Sequence, residues 1–191
     1  MKRITLLLTI SFTLGNLSAY AQSEKEEFRV GIKAGWHSAN TYRVGNAPND
    51  NLEAFYVGVC SEVTTSERVR FNSALEYFQN GFLNSESKFK MHTLSLPSVC
   101  KVFVGPVYGM GGFAFNFKLS DNRQDFPGGE QSITKITETN FFDIPLSLGL
   151  GIEIARFQIE AKYNWGLFNS VYVDGLAHKN RYLQVGAAVM F

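Results

Sequence analysis

The chain has 191 residues, which suits one domain and leaves no room for a second large core. Its formal net charge of +1 provides no basic field for nucleic acid, and two cysteines are too few for a disulfide-built secreted scaffold. Phe (17) and Tyr (8) are abundant, and Gly (17) outnumbers Pro (5). This composition favours an all-β domain whose strands are joined by glycine-containing turns, with no nucleic-acid partner.

The first 21 residues have the pattern of an export signal. Lys2 and Arg3 precede an apolar run at 4–14, and the segment Ala19-Tyr20-Ala21 follows it. A basic segment, an apolar segment and a small-x-small site are the marks of a cleaved signal peptide. We predict a signal peptide at 1–21, cleavage after Ala21, and a mature domain at 22–191. An uncleaved anchor is the alternative, although the apolar run is short for a membrane span.

Eight later segments alternate apolar side chains with other side chains at the period of two that marks a β-strand. We predict strands at 28–37, 53–62, 68–78, 91–104, 107–118, 142–153, 157–165 and 181–191. The alternation is strongest at 142–153. It is weakest at 91–104, where Pro97 and the apolar run at 102–104 obscure the phase.

The gaps between the predicted strands alternate in length. Long polar gaps lie at 38–52, 80–89, 119–140 and 169–180, and short gaps separate the other strands. Bacterial outer-membrane barrels combine an even strand number with long external loops and short periplasmic turns. We therefore predict an eight-stranded antiparallel up-and-down transmembrane β-barrel, whose last strand closes against the first.

A soluble eight-stranded barrel of the lipocalin kind is the competing fold, and it would turn the apolar face inward. The other face here is rich in glycine, alanine and serine, which fit the cramped interior of a small membrane barrel. Aromatic residues of the apolar face also collect near the strand ends, where the two lipid interfaces select them. The long-loop ring is Trp36, Phe55, Tyr77, Phe115, Phe117, Phe142, Tyr163 and Trp165, and the short-turn ring is Phe28, Phe71, Phe157 and Phe191.

The same phasing turns charged side chains of both signs toward the lumen. Because an unpaired charge in a narrow, low-dielectric space costs several kcal/mol, by a rough estimate, we expect these groups to pair. Eight strands enclose little beyond side chains, so we expect a polar plug rather than an open pore. An ion or proton path is the functional alternative. The predicted network is Arg29, Lys33, Arg70, Glu76, Asp143, Glu153, Glu160 and Lys162, together with Glu62.

The sequence offers weak candidates for catalysis. A lipid-modifying hydrolase would need a histidine near a serine, and His37 with Ser38, His92 and His178 are the histidines available. His37 is phased toward the lumen, whereas such an enzyme needs its site on the lipid-facing side. We expect no enzyme, no cofactor and no metal site.

The two cysteines lie on predicted strands that are not neighbours. Cys60 is phased inward and Cys100 outward. A disulfide needs Cβ atoms about 4 Å apart, so we predict two free, buried thiols.

Four segments resemble a known family: ALEYFQNGF, HTLSLPSVCKVFVG, FFDIPLSLGLGIEIARFQIEAKYNWGL and LQVGAAVMF. They are similar to the outer-membrane β-barrel domain family of Bacteroidetes, the PorT-like or "porin family" group, with an OmpA/OmpX-like architecture. The positions that carry the resemblance are Tyr77 with Gly81, Leu96 with Pro97, Asp143, Gly149 with Gly151, and Tyr163 with Gly166. Ser98 and Cys100 depart from the family pattern and leave the register of the strand at 91–104 open.

The resemblance and the strand pattern imply a monomer in the outer membrane of a Gram-negative bacterium. Its expected partners are outer-membrane lipid, the barrel-assembly machinery through the C-terminal strand, and a surface ligand through the loops 38–52, 80–89, 119–140 and 169–180. We expect a structural or surface-interaction role. The alternatives are a PorT-like component of an envelope secretion machine and a lipid A-modifying enzyme.

Overall fold

The computed structural model describes residues 27–42, 50–83, 87–125, 138–139, 141–173 and 176–191. Eight long strands account for almost all of them. They are β1 (Phe28–Tyr42), β2 (Asp50–Thr64), β3 (Val69–Leu83), β4 (Ser87–Val104), β5 (Val107–Asp125), β8 (Pro145–Ile154), β9 (Phe157–Val173) and β10 (Leu176–Met190). Two pairs of residues, β6 (Glu138–Thr139) and β7 (Phe142–Asp143), add short bridges to β9 and β5. In these ranges no helix has the length and apolarity needed to cross a membrane.

The long strands form one closed antiparallel sheet. Each strand pairs with the next along the chain, and β10 pairs with both β9 and β1. At the closing seam Gly31 lies opposite Met190 and Tyr42 opposite Lys179. The backbone N–H of Phe191 adds a bond of 2.7 Å to the carbonyl of Val30. The predicted eight-stranded up-and-down barrel, closed by its last strand against its first, is confirmed.

Three tight connections lie together at one end of the barrel, which we call the short-turn end. Gly105 and Pro106 join β4 to β5, and Ala155 and Arg156 join β8 to β9. Gly105 has φ 62°, which glycine adopts without strain. Ala155 has φ 55°, where a Cβ costs about 1–2 kcal/mol. Residues 65–68 form the third turn, between β2 and β3.

At the opposite, long-loop end the predicted loop boundaries were wrong. Described strands extend into all four segments predicted as loops, at 38–52, 80–89, 119–140 and 169–180, because β1, β3, β5 and β9 run on to residues 42, 83, 125 and 173. Asparagine, aspartate and lysine there were interpreted as loop residues. Antiparallel pairing uses backbone groups alone, so polar hairpins continue once the strands leave the apolar band.

Two prolines interrupt single ladders without shifting the register. The segment predicted as one strand at 142–153 is broken at Ile144, since Pro145 lacks an N–H and restricts the residue before it. The pairs on both sides, Phe113 with Leu146 and Asn116 with Asp143, keep the same register. Pro97 interrupts the β3–β4 ladder in the same way but still pairs with Ala114 on β5.

The barrel is inverted relative to a soluble protein. Large apolar side chains cover its outer face, and Leu150 is 67% exposed and Phe55 81% exposed. Charged side chains fill its interior, where Glu62 is 0% exposed and Lys101 1% exposed. An apolar band around a polar interior matches a barrel in lipid and excludes the lipocalin alternative, whose apolar face is internal.

The strand at 87–104 has a definite phase. Leu94, Leu96 and Cys100 face outward, and Lys101 faces the lumen. Both cysteines are free, as predicted, and Cys60 is buried inside the barrel. The prediction that both are buried was wrong for Cys100, which is half-buried on the outer face.

Candidate functional site

Glu62 is the centre of the charged cluster near the short-turn end of the lumen. Lys101 Nζ lies 3.1 Å and Arg70 Nη1 3.3 Å from its carboxylate, and Arg29 also pairs with it. Gln158 donates its side-chain amide to the same group over 3.3 Å. Four donors from four strands therefore converge on one buried carboxylate.

Glu153 on β8 accepts from three of the same four donors. Arg70 lies 2.8 Å and Arg29 3.2 Å from its carboxylate, and Gln158 donates over 2.6 Å. The guanidinium of Arg70 also lies 4.2 Å from the ring centre of Phe103. Because each arginine bridges two glutamates, the cluster ties β1, β2, β3, β8 and β9 together across the lumen.

A second group of charges lies one level further into the barrel. Lys33 Nζ is 2.5 Å from Glu160 and 3.0 Å from Glu76. Lys162 lies 3.4 Å from Glu76, and Gln184 donates to Glu76 over 3.2 Å. Every one of these side chains is buried.

Lys101 connects the two groups, since its Nζ lies 3.1 Å from Glu62 and 3.8 Å from Glu160. We call the whole assembly the charged plug; its members are Arg29, Lys33, Glu62, Arg70, Glu76, Lys101, Glu153, Glu160 and Lys162. Five cationic side chains thus face four carboxylates. Removing one partner of such a buried pair typically costs about 3–5 kcal/mol, because the other charge is left uncompensated.

An aromatic layer covers the plug on the side of the long loops, and its members are His37, Tyr56, Phe78 and Tyr182. The His37 ring stacks on Phe78 with a centroid distance of 4.5 Å and lies 5.0 Å from Tyr182. Its Nε2 lies 3.0 Å from Oδ1 of Asn80. Lys33 Nζ lies 5.7 Å from the Tyr56 ring centre, which links the layer to the plug.

Amide and hydroxyl groups line the lumen above the aromatic layer. Asn116 donates to the Tyr182 hydroxyl over 3.2 Å. Asn116 also lines a small cavity, together with Asn80, Thr93 and Asp143. This cavity has a volume of about 20 Å³, room for about one water molecule. The lumen is therefore filled at three successive levels.

The predicted luminal residues lie in two places. Arg29, Lys33, Arg70, Glu76, Glu153, Glu160 and Lys162 all belong to the charged plug. Asp143 faces the same lumen but lies at the long-loop end, in the polar level around Asn116. The prediction omitted Lys101, Gln158 and Gln184. Leu94 and Leu96 carried the missing signal for Lys101, because a strand that turns them outward turns position 101 inward.

The predicted ring residues all point outward from the barrel. Ring pairs link those near the long-loop end: Phe115 stacks on Phe142 with centroids 5.9 Å apart, and Tyr163 meets Trp165 edge-on with centroids 4.6 Å apart. Outward positions are also held by Trp36, Phe55, Tyr77 and Phe117 at that end, and by Phe28, Phe71, Phe157 and Phe191 at the short-turn end.

The two histidine candidates with described side chains, His37 and His92, are hydrogen-bonded to partners other than a serine. His37 lies inside the barrel against Asn80, whereas the neighbouring Ser38 donates its hydroxyl to Glu53 over 2.8 Å. His92 faces outward and its Nδ1 is hydrogen-bonded to the Tyr77 hydroxyl. The side chain of His178 lies outside the described residues. Within the described ranges, no three His, Cys, Asp or Glu side chains come close enough to hold a metal ion.

Comparison with solved structures finds small outer-membrane barrels. Ail, the attachment invasion locus protein of Yersinia pestis, is similar with a TM-score of 0.52 and 14% identity, over 86% of this chain and 99% of that chain. Its complex with the heparin analogue sucrose octasulfate gives the same values. Neisserial surface protein A is similar with a TM-score of 0.54 and 15% identity, over 88% of this chain and 100% of that chain. At these identities the likeness shows the fold alone.

No curated protein matches the sequence. Residues 20–172 match the family described as "Outer membrane protein beta-barrel domain". That match spans β1 to β9 and so includes every strand that contributes a charge to the plug. The chain therefore belongs to the outer membrane protein beta-barrel domain family.

Proposed function

We propose that this protein is a closed outer-membrane barrel that acts through its long-loop end and does not conduct ions. The filled lumen is the observation that carries the proposal, because the charged plug and the aromatic layer occupy successive levels of it. In outer-membrane barrels the long loops face outward and the short turns face the periplasm. The surface available to a partner is thus formed by the segments 38–52, 80–89, 119–140 and 169–180.

The described parts of those segments are supported by paired strands, although register shifts interrupt the β9–β10 ladder at Lys179 and the β2–β3 ladder between Asn51 and Tyr56. β9 and β10 continue their ladder beyond Trp165 to the pair formed by Val173 and Leu176. Extended strands hold a binding surface more rigidly than unpaired loops do, which lowers the entropy lost on binding. A surface-interaction role follows more readily from this geometry than a purely structural one.

Planar-bilayer recording of the purified, folded protein tests the closed lumen. We expect no steady conductance, and a stable open level would contradict the proposal. As a control for folding, the same protein should migrate differently on gels before and after boiling, as folded barrels do.

Heparin is a rational first probe for the surface role, since Ail has been solved with a heparin analogue. At the long-loop end Lys179 is exposed and Arg181 is half-buried. We expect heparin retention that weakens with salt and is lost in the Lys179→Gln/Arg181→Gln variant. Arg68→Gln, at the opposite end, is the matched control and should bind as the wild type does. If the Lys179→Gln/Arg181→Gln and Arg68→Gln variants retained heparin equally, Lys179 and Arg181 would not belong to the binding surface.

The resemblance of four segments to the PorT-like group of Bacteroidetes supports a finer placement within the family, and with it a place in an envelope secretion machine. Deletion of the gene followed by an assay of secreted proteins tests that role. Export through 1–21, which lies outside the described residues, and assembly as a monomer through the C-terminal strand belong to the same proposal. Cleavage after Ala21 is tested by N-terminal sequencing of the mature protein.

We also propose that the barrel is not an enzyme. Support comes from β1, where His37 points into the lumen and Ser38 bonds to Glu53 instead. Lipid A should have the same mass spectrum in wild-type and deletion strains. A missing or added acyl chain on deletion would contradict this.

A further inference from the structure

The small cavity at the long-loop end of the lumen is lined by several groups that can supply oxygen ligands. Its volume is about 20 Å³, so it admits one small ion or one water molecule. Among the described residues, its polar wall consists of one carboxylate, three amides, one hydroxyl and one ammonium group, from Asp143, Asn80, Asn116, Asn180, Thr93 and Lys118. The rest of the wall is apolar.

The amide oxygen of Asn116 points to a ligand in this cavity. Asn116 is 4% exposed, and its Nδ2 donates to the Tyr182 hydroxyl over 3.2 Å. That bond holds the amide group in place, and the other end of the group, Oδ1, is buried without a hydrogen-bond partner. Because the side chain lines the cavity, this oxygen can bind a ligand there. A buried carbonyl oxygen without a partner costs free energy, which a bound cation or hydrogen-bond donor recovers.

Two further oxygen atoms approach one another close to Asn116. A Cβ built on Gly166 would lie 2.9 Å from Oδ2 of Asp143 and 2.9 Å from the backbone carbonyl oxygen of Asn180. Asp143 also lies directly opposite Asn116 in the pairing of β5 with β7. Oxygen atoms from three strands thus gather where their negative charges repel one another. A bound cation would offset that repulsion.

The sheet is irregular at three residues that line the cavity. The β9–β10 register shifts around Asn180, and the β4–β5 register shifts just before Thr93. The strand is also broken at Ile144, directly after Asp143. Irregularities of this kind re-aim side chains, and they recur at the rims of barrels and next to functional sites. Here they come from different strands and border one cavity.

The oxygen atoms favour Ca²⁺ among the hard cations. Ca²⁺ accepts carboxylate, amide and carbonyl oxygens in a flexible geometry, whereas Mg²⁺ demands an octahedron and keeps several waters. A cavity of about 20 Å³ has no room for those waters. A site with one carboxylate is weak, with a dissociation constant of roughly 10⁻⁴–10⁻³ M, as in extracellular calcium modules. Such a site is built mainly from amides, so it differs from a cluster of three His, Cys, Asp or Glu side chains.

We propose that this cavity binds one Ca²⁺ ion, with oxygen ligands from Asn116, Asp143 and Asn180. The ion joins β5, β7 and β10 at the base of the long-loop end. Lys118 is half-buried at the same cavity, so its ammonium competes with the ion for the Asp143 carboxylate. The inference rests on the orientation given under the proposed function, which turns this end of the barrel toward the external medium as the source of Ca²⁺.

Terbium luminescence of the folded, EDTA-treated wild-type barrel in detergent tests the proposal. Tb³⁺ takes the same oxygen ligands as Ca²⁺ and is excited through a nearby tyrosine, here Tyr182. We expect a Tb³⁺ signal that CaCl₂ removes, and that NaCl at the same ionic strength does not. Asp143→Asn should weaken Ca²⁺ binding roughly tenfold or more, because it removes the charged ligand.

Glu53→Gln is the matched control for Asp143→Asn. Glu53 is an exposed acid of β2 at the same end of the barrel, and it accepts a hydrogen bond from Ser38. Its replacement removes one negative charge outside the cavity, so this variant should bind Ca²⁺ as the wild type does. Folding of every variant is checked by the change of gel migration on boiling.

Two variants should gain affinity, which keeps the proposal testable even where Asp143→Asn does not fold. Asn116→Asp and Lys118→Gln each make the cavity more negative by one charge. Each should strengthen Ca²⁺ binding several-fold, whereas a cavity that holds only a water molecule would respond to neither. Arg156→Gln removes one positive charge at the opposite end and should have no effect.

Three results would overturn the proposal. A Tb³⁺ signal that CaCl₂ does not remove, or no signal, would assign the cavity to water alone. Equal Ca²⁺ affinity in Asp143→Asn and Glu53→Gln would place the ion elsewhere on the barrel, and so would equal affinity in Lys118→Gln and Arg156→Gln. None of these results bears on conductance or heparin retention, so a failure here is distinguishable from a failure of the proposed function.

Discussion

Glu62 has the most demanding position of any side chain in the charged plug. It is fully buried, and Arg29, Arg70 and Lys101 all direct their charges at it. Glu153 shares Arg29 and Arg70 with Glu62. Its side chain is 14% exposed, so water compensates part of its charge. The two glutamates therefore separate the effect of pairing from the effect of burial.

Glu62→Gln should destabilise the barrel by about 3–5 kcal/mol, since the neutral amide leaves the buried Lys101 without its nearest carboxylate. Glu153→Gln should cost less, about 1–2 kcal/mol, because its partners are about 16–20% exposed. Equilibrium urea unfolding in lipid vesicles measures both differences. Equal losses would show that burial does not set the contribution of these carboxylates.

At the scale of elements, the seam between β1 and β10 depends on a pair of glycines. Gly35 lies opposite Gly186, and the Tyr56 side chain of β2 covers both. A Cβ built on Gly186 would lie 2.3 Å from the Tyr56 hydroxyl, and one on Gly35 would lie 2.3 Å from the carbonyl oxygen of Val185. Only glycine lets this ring pack against the backbone of the closing strands.

Gly186→Ala should therefore destabilise the folded barrel by about 1–3 kcal/mol, the usual cost of overpacking an interior. Gly109→Ala on β5 is the control, since a Cβ there meets nothing within 4 Å. Unfolding midpoints in urea should fall for the first variant and stay unchanged for the second. A stable Gly186→Ala barrel would mean that the Tyr56 ring moves aside without cost.

The end of β10 makes a second prediction about closure. Phe191 is exposed on the outer face, and its N–H bonds to Val30 over 2.7 Å. A charged peptide added after Phe191 would place charged side chains at the lipid interface of the short-turn end. It should therefore reduce the fraction of the protein that is assembled in cells. The same peptide inserted in the polar segment at 126–137 is the control and should be tolerated. Normal outer-membrane levels of the tailed protein would contradict a role for this terminus in assembly.

The period of two was enough to predict which face of each strand is apolar, because side chains alternate whatever the register. It could not predict where the hairpins end, since polar strands and polar loops have the same composition outside the apolar band. Nor could it show that Pro97 and Pro145 would leave the register intact. That outcome depends on which neighbour each missing N–H would have faced.

At the scale of the whole molecule, the sequence indicated a plug of paired charges but not which side chains pair with each other. Arg29 and Glu153 are far apart in the chain and meet only because the sheet closes. Asp143 was grouped with the plug on phase alone. Phase gives the face of a strand and not the height along the barrel axis, and Asp143 lies at the other end of the lumen.

The proposed closed lumen rests on two filled levels in series. The charged plug occupies the half near the short turns, and the aromatic layer, in which Phe78 is 0% exposed, covers it. Ions that cross the lumen must pass both. Removal of one barrier therefore should not open the barrel.

The variant Phe78→Ala/Tyr182→Ala tests this arrangement, because it removes two of the four members of the aromatic layer and leaves Glu62 and Lys101 in place below. We expect no steady conductance in planar bilayers, with folding verified by heat-modifiable mobility. The only other change we expect is a lower free energy of unfolding, by about 3–5 kcal/mol for each ring whose packing is lost. A steady ohmic current from this variant would show that the charged plug does not block ions. In the wild-type barrel, the aromatic layer alone would then block ions.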